Sequence, residues 1–587
     1  MRMRNAVEVL AIALLAGALA AGCGDDPAPG TTGGTASGTG STASTGAASG
    51  VEGPRGSKDV PLEGEALRDF DWTAFFPPGD GWRAFRQELV FNNGAEPETL
   101  DPHVMTGVPE HTLALALFEG LTSHHPETLQ ALPGVAEWWE ISDDGTVYTF
   151  HLRRDAKWSN GDPVTAEDFR WSWKRALDPA TASQYAYQLY AVVNAQRFNA
   201  GETKDFAEVG CEAVDAHTFR VTLAAPTPYF LDLTSFETLM PVHRATVEEH
   251  GIAWTQPRNF VGNGPFVVSE WKPRDEIVMT PNPHYWNAGI VRLRTIRAKA
   301  LDDMNTAYNE YLAGKLDWMK AIPQKRIDEV QQHPDYYVWP YLGSYFYRFN
   351  VTRKPFDDVR VRKAFNAAVD KDSLCRNTLK AGQIPATGFV PPGIHGYEGV
   401  TGHPYDPEGA KALLAEAGFP GGRGFPDVEL LYNTSEAHQQ VAEVISSMWR
   451  EVLGINVKLR NMEWKVYLDD VDNLRYQIAR AGWIGDYTDA NTFMDMFVTD
   501  GGNNNTGWWD AQYDRHIAEA AQEQDPLARA RLFAQAEEIL CVDEMPILPI
   551  YYYVNQGLLR SRVKGLAENI RDLHPFQLIY IDGPAGK

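Results

Sequence analysis

Arg480, Trp483 and Asp486 fall within the eight-residue stretch "RAGWIGDY", residues 480–487. The stretch supplies a fixed cation, a flat aromatic face and an anion, and Gly482 and Gly485 loosen the backbone between them. Such a cluster can do two things. It can close a turn around a local salt bridge, for which Asp486 beside Gly485 is ordinary turn chemistry. It can also receive a ligand that carries a positive and a negative end. From these residues alone both readings stay open.

The chemistry of bond breaking finds less support. The chain has no G-x-S-x-G elbow, no H-E-x-x-H pair and no G-x-x-x-x-G-K phosphate loop. "SRVK", residues 561–564, matches S-x-x-K without either companion motif. "SHHPE" (His124, His125) and "VHRATVEEH" (His243, His250) lack a spacing that would fix a metal, and Asp500 with Asn503–Asn505 makes a turn cluster rather than a calcium loop. A hydrolase with scattered catalytic residues is the rival reading, with no motif behind it. No metal or other cofactor is expected.

The elements that must hold the cluster are interleaved helices and strands. "DGTVYTFHL" (Asp144 to Leu152) alternates as a strand after a turn. "VTAEDFRWSWKRAL" opens a helix at Thr165 with Asp168 three residues on, in capping-box fashion, and Phe169, Trp173 and Leu177 recur on one face as core. "FDDVRVRKAFNAAVDKDSL" is amphipathic, with Val361, Ala364, Phe365 and Ala368 inward. A further helix starts at Asp406 and Pro407 and stops at Gly418. "VELLYN", the helix "EAHQQVAEVISSMWREVLG" and "INVKL" then form a βαβ unit, which requires locally parallel pairing. The last helix, "DPLARARLFAQAEEIL", precedes "MPILPIYYYVN", an apolar run fit for a central strand. The pattern is that of an α/β protein of more than one lobe.

Around this body the ends and the composition set limits. Residues 1–22 read as an export signal, with Arg2 and Arg4 before an apolar run too short to span a bilayer stably. "LAAGCGDD" resembles a bacterial lipoprotein cleavage box, with Cys23 as the residue to be lipidated and ordinary signal cleavage as the alternative. Residues 23–60, rich in Gly, Ser, Thr and Ala, read as a flexible tether. Lipid and tether together would hold the body at a membrane without spanning it. The net charge of −25 argues against nucleic acid and anionic lipid as partners. Cys211, Cys375 and Cys541 allow at most one disulfide, with no pair assignable.

Seven stretches, in order, resemble the family 5 extracellular solute-binding proteins of bacterial ABC importers, and most of all their oligopeptide-binding branch. They are "LDPHVMTGVPE", "FHLRRDAKWSNGDPVTAEDF", "TQPRNFVGNGPF", "FDDVRVRKAF", "LLYNTSEAH", "EWKVYL" and "RAGWIGDY", and the resemblance runs from about Leu89 to the C-terminus. It implies a two-lobed periplasmic-binding-protein-like fold of class II type, with a hinge and an extra subdomain on the first lobe. The implied divisions are 85–118, 243–342 and 553–587 for the first lobe, 119–242 for the subdomain and 343–552 for the second lobe.

The resemblance also implies a function: capture of short peptides between closing lobes, as a monomer, and delivery to permease and ATPase subunits. By the same resemblance, Asp486 holds the peptide's ammonium end and Arg480 lies on its carboxylate side. Six extended residues reach at most about 20 Å and a three- to five-residue peptide spans roughly 10–17 Å, so the spacing permits both contacts. Gly482 would admit the ligand backbone as an added strand, with Val108 presenting backbone from the other lobe. Trp464 and Trp483 would wall side-chain pockets, while Tyr185 and His438 match further ligand contacts. This chain departs from characterised oligopeptide binders at Val471, where they carry a second arginine, and at Thr106, where they carry glutamate. A dipeptide, a murein peptide or a metal chelate is the alternative cargo.

Overall fold

A computed structural model describes residues 63–394, 396–462, 464–499 and 501–584. The export signal, Cys23 and the tether up to residue 60 lie outside the described residues. No helix among those described is long and apolar enough to cross a membrane.

Local chemistry places the elements close to where their sequences put them. Thr165 and Asp168 form the capping box of the helix Ala166–Leu177, with the Thr165 amide donating to Asp168 Oδ2 at 2.7 Å. Phe169, Trp173 and Leu177 are buried on its inner face. Asp406 caps the helix Pro407–Glu416 by accepting from the Gly409 amide at 2.9 Å. Val361, Ala364, Phe365 and Ala368 are all fully buried. Strand Val428–Asn433, helix Glu436–Leu453 and strand Val457–Met462 make the expected unit, with Val428 paired in parallel with Val457. Gly454 closes that helix at φ 72°, a left-handed position that glycine fills without strain. Its most deeply buried side chains are Trp449 and Ile445. The Trp449 indole N–H finds the Phe365 carbonyl at 2.8 Å, which lets so large a residue fit the core.

One 11-stranded sheet runs through the molecule. Its centre is a pair of long antiparallel strands, Tyr336–Phe349 and Ile547–Leu559, the second of which contains the apolar run anticipated from sequence. One end of this pair continues into strands Trp318–Met319, Glu88–Asn92 and Thr295–Lys299. The other end continues through Ile478–Ile484 into Val428–Asn433. The register between the two long strands shifts between Pro340 and Ser344. On one side of this break lies a core built on Leu89, Phe91, Trp318 and Ile296; on the other, one built on Tyr345, Tyr347, Phe365 and Trp449.

Residues 119–242 contribute a separate four-stranded antiparallel sheet, Ala136–Ile141, Val147–Leu152, Thr218–Thr222 and Cys211–Asp215, packed on helix Ala166–Leu177. Its edge strand Ala136–Ile141 is covered by Glu63 and Gly64. The Gly64 amide donates to the Trp139 carbonyl at 2.9 Å, and Glu63 Oε2 accepts from the Ile141 amide at 2.8 Å. From there an aromatic strap crosses to the first core: Phe75 meets His125 at 5.2 Å, Trp72 meets Trp286 at 6.4 Å, and the Arg292 guanidinium lies 3.9 Å from Phe76 and 4.6 Å from Tyr580. Cys211, Cys375 and Cys541 are all buried free thiols.

Candidate ligand-binding site

The site is organised by strand Ile478–Ile484. On one side it pairs along its whole length with Gly343–Phe349. On the other, Val428–Asn433 reaches only Ile478 and Ala479. Beyond that point, residues 480–484 have no strand partner on this side among the described residues. A strand with one free edge carries unpaired backbone donors and acceptors, ready for an added strand.

Arg480 stands where the pairing ends. Its side chain is 6% exposed, with the guanidinium 4.8 Å above the Tyr345 ring. Nη2 donates to the Tyr553 hydroxyl at 3.1 Å and Nη1 to Asn433 Oδ1 at 3.4 Å, while Nε is buried without a partner. The Tyr467 hydroxyl donates to its backbone carbonyl. No carboxylate pairs with this guanidinium among the described residues, and it forms no salt bridge with Asp486. His438, 4% exposed, lies on the same tyrosine, its Nδ1 3.4 Å from the Tyr345 hydroxyl and its Nε2 unsatisfied. Burial and the nearby Arg480 charge push its pKa down to about 2, so the ring is neutral.

Gly482 also has little room for a side chain within this chain itself. A Cβ there would sit 2.7 Å from the Tyr553 hydroxyl and 3.1 Å from Arg480 Nη2. The space above Gly482 is thus taken by this chain's own arginine and tyrosine, which curl back over the strand.

Alternation sends the neighbouring side chain to the other face. Trp483, half-buried, packs against the core of Phe346, Phe389 and Phe493, and its indole donates to the Thr492 carbonyl at 2.6 Å. A guest strand on the free edge would therefore meet Trp483 on one face and Arg480 on the other. Trp464 begins helix Trp464–Asp472, and its side chain lies outside the described residues. Val471, on the same helix, is 2% exposed among Leu431, Tyr467 and Tyr476, a core position.

Asp486 follows the strand. Its amide donates to Thr492 Oγ1 at 3.1 Å and its carbonyl accepts from Arg571 Nη2 at 3.1 Å. The carboxyl group is hydrogen-bonded by the Tyr187 hydroxyl, and no cation forms an ion pair with it among the described residues. Burial pushes its pKa up to about 6, against the pull of Arg571. Asp495, near enough to feel the Asp486 charge, is raised to about 7, chiefly by burial. Tyr185 is close by: burial and the Asp486 charge both raise its pKa. Its ring lies 5.4 Å from Phe236. Val108, half-buried, is the first residue of helix Val108–Leu117, and its carbonyl accepts from Thr112 Oγ1 at 3.0 Å. That helix reaches the same wall through His111, whose Nδ1 lies 2.7 Å from Glu237 Oε2.

The candidates thus divide into two clusters. Arg480, Gly482 and His438 share the Tyr345–Tyr553 aromatic floor. Asp486 and Tyr185 face each other some residues away, with Val108 linked to them through residues 236–237. Sequence reading missed Tyr187, Tyr345, Tyr553, Thr492, Arg571 and Asp232. Tyr187 stands two residues after Tyr185 and Thr492 six after Asp486, but Tyr345, Tyr553, Arg571 and Asp232 come from distant segments and carry no local signal.

Comparison with known proteins shows which family the chain belongs to. The family model for bacterial extracellular solute-binding proteins, family 5, matches residues 130–505. The periplasmic oligopeptide-binding protein OppA of Salmonella typhimurium is 38% identical over 508 residues, covering 84% of this chain and 92% of that protein. A probable deoxycholate-binding periplasmic protein of Escherichia coli, YgiS, is 36% identical, over 82% of this chain and 90% of that one. Among solved structures, the unliganded open form of the murein tripeptide binding protein MppA superposes with a TM-score of 0.78 at 36% identity, covering 84% of this chain and 97% of that chain. Haemophilus influenzae OppA in complex with the peptide RPPGFSPFR matches with a TM-score of 0.66 at 38% identity, over 85% and 99%. With its α/β fold, its long central strands and these matches, the chain belongs to the two-lobed bacterial extracellular solute-binding proteins of family 5.

Proposed function

We propose that this chain captures short peptides with two free ends. One observation carries the reading: among the described residues, a strand edge without a strand partner has a buried guanidinium without an ion-pair partner at its start and a carboxylate without one just beyond its end. Burying either charge is expensive unless a partner arrives. A peptide lying along the edge supplies both, its ammonium to Asp486 and its carboxylate toward Arg480, directly or through water, while its backbone satisfies residues 480–484. A bile acid offers a carboxylate but no ammonium, so the retention of both groups favours a zwitterion over cargo of the kind named for YgiS. Val471 supplies no second cation near Arg480, and the C-terminal end meets Arg480 and His438.

In this reading the first lobe comprises 85–118, 243–342 and 553–587, the subdomain 119–242 and the second lobe 343–552. The break in register between the long strands at 340–344 supports a hinge there. The better fit to an open, unliganded neighbour than to a peptide complex supports an open state that closes on cargo. The body is exported and tethered through lipidated Cys23. It acts as a monomer, performs no chemistry on its cargo and hands it to a permease whose partner subunits hydrolyse ATP. Mass analysis of ligand released from purified protein tests this: intact short peptides are expected, and a non-peptide or a set of cleaved products would contradict it.

A further inference from the structure

Asp486 sits in a turn whose every residue is fastened to another part of the chain. Its carbonyl accepts from Arg571 Nη2 at 3.1 Å. The Tyr487 ring stacks on Tyr229 at 3.8 Å and 9°. The Thr488 amide donates to Asp232 Oδ2 at 2.7 Å. Asp489 accepts from Arg529 Nη2 at 2.9 Å. Arg571 and Asp232 join these ties, since Arg571 Nη1 donates to both Asp232 oxygens at 2.8 and 2.9 Å. His124 Nε2 completes the network, 2.6 Å from Asp232 Oδ1. Three remote segments, around residues 124–235, 486–489 and 571, therefore meet at one point beside the candidate ammonium site.

We propose that Arg571, held by Asp232, is the positioning residue that presents the Asp486 carboxylate to a ligand's ammonium group. The inference rests on the peptide-binding reading of that site. An arginine this close would ordinarily form a salt bridge with Asp486, and an incoming ammonium would have to displace it. Here Nη1 is held by both oxygens of Asp232, and Nη2 donates to the Asp486 backbone carbonyl rather than to its carboxylate. The side-chain carboxylate is left free, yet it stays within the positive field of the guanidinium. Its other neighbours are Tyr187, which hydrogen-bonds to it, Tyr185, and Asp495, whose charge opposes its own; Glu237 faces Tyr185 from behind, and Asp489 is neutralised by Arg529. Arg571 is thus the cation that favours the ionised form of Asp486, and that form receives the ammonium.

Two variants separate the two duties. Arg571→Gln removes the field, so ligand affinity should be lost at higher pH. Asp232→Asn releases Arg571 to pair with Asp486, so affinity should fall several-fold at every pH where Asp486 is ionised. The test is calorimetric titration of the full chain with trialanine from pH 5 to pH 8, with circular dichroism as a check of folding. Wild-type affinity should fade as pH drops through about 6. Arg571→Gln should raise that midpoint by about one unit, and Arg571→Lys should restore most of it. The midpoint is internal to each variant, so partial destabilisation does not shift it. Should Arg571→Gln fail to fold, Arg571→Lys and Asp232→Asn carry the test. Wild-type midpoints and affinities in Arg571→Gln and Asp232→Asn, alongside weakened binding in Asp486→Asn, would overturn this inference alone. Wild-type binding by Asp486→Asn would overturn the site reading and the inference with it.

Discussion

The Asp486 carboxylate is costly to hold ionised in the fold. The ordinary pKa of an aspartate is near 3.8, and that of Asp486 is about 6 in the fold. A carboxyl whose folded pKa is raised contributes its stability fully below the unfolded value and loses it as pH rises through the folded one, so ionised Asp486 costs stability at neutral pH. Asp486→Asn should therefore raise the thermal midpoint of the ligand-free protein at pH 7 while weakening peptide binding about 10- to 150-fold, the worth of an ammonium–carboxylate contact. Calorimetry and a thermal melt on one preparation check both signs. His438 behaves differently: with its pKa pushed down to about 2 it stays neutral from pH 5 to pH 8. His438→Gln should thus alter affinity without moving the pH at which binding fades. At this scale the sequence was legible where charges were close in the chain. "RAGWIGDY" displayed Arg480 and Asp486, but the emptiness around each depends on Tyr345, Tyr553 and Thr492, which arrive from other strands and helices.

Strands and helices followed their local patterns because capping, turn residues and alternation agreed with the final packing. The Thr165–Asp168 box, the Asp406–Pro407 start and the Gly454 stop all form as their residue types dictate. What periodicity could not reveal was that Val428–Asn433 stops short of Arg480 and leaves an edge free, since strand register is a tertiary property. The crowding above Gly482 was hidden for the same reason. Gly482→Ala should cost about 1–3 kcal/mol in denaturant unfolding through contact with Tyr553 and Arg480, and Tyr553→Phe in the same chain should recover part of it by removing the hydroxyl at 2.7 Å. The aromatic strap was equally opaque, because residues 63–86 have no periodicity and gain their order from Trp286, Arg292 and His125. Trp72 and Phe75 are 5% and 1% exposed, so Trp72→Ala with Phe75→Ala should lower stability by several kcal/mol. Limited proteolysis should then cut before residue 88 while peptide affinity holds.

Across the whole molecule the two lobes share one sheet, and the long strands Tyr336–Phe349 and Ile547–Leu559 carry the connection between them. The two-lobed plan was available from the order of seven family-like stretches, whereas composition alone gave only an α/β protein of more than one lobe. Among the described residues a cation and an anion without ion-pair partners flank one strand edge, and in the proposed reading closing the lobes would remove water from both. Peptide should therefore reduce the radius of gyration in X-ray scattering, and Asp486→Asn should blunt the response at equal peptide concentration. The most direct test is calorimetric: one tripeptide sequence titrated in free-ended, N-acetylated and C-amidated forms. Acetylation and amidation should each weaken binding by about tenfold or more, and Asp486→Asn should erase the penalty of acetylation. Equal affinity for all three forms would contradict recognition of the two charged ends.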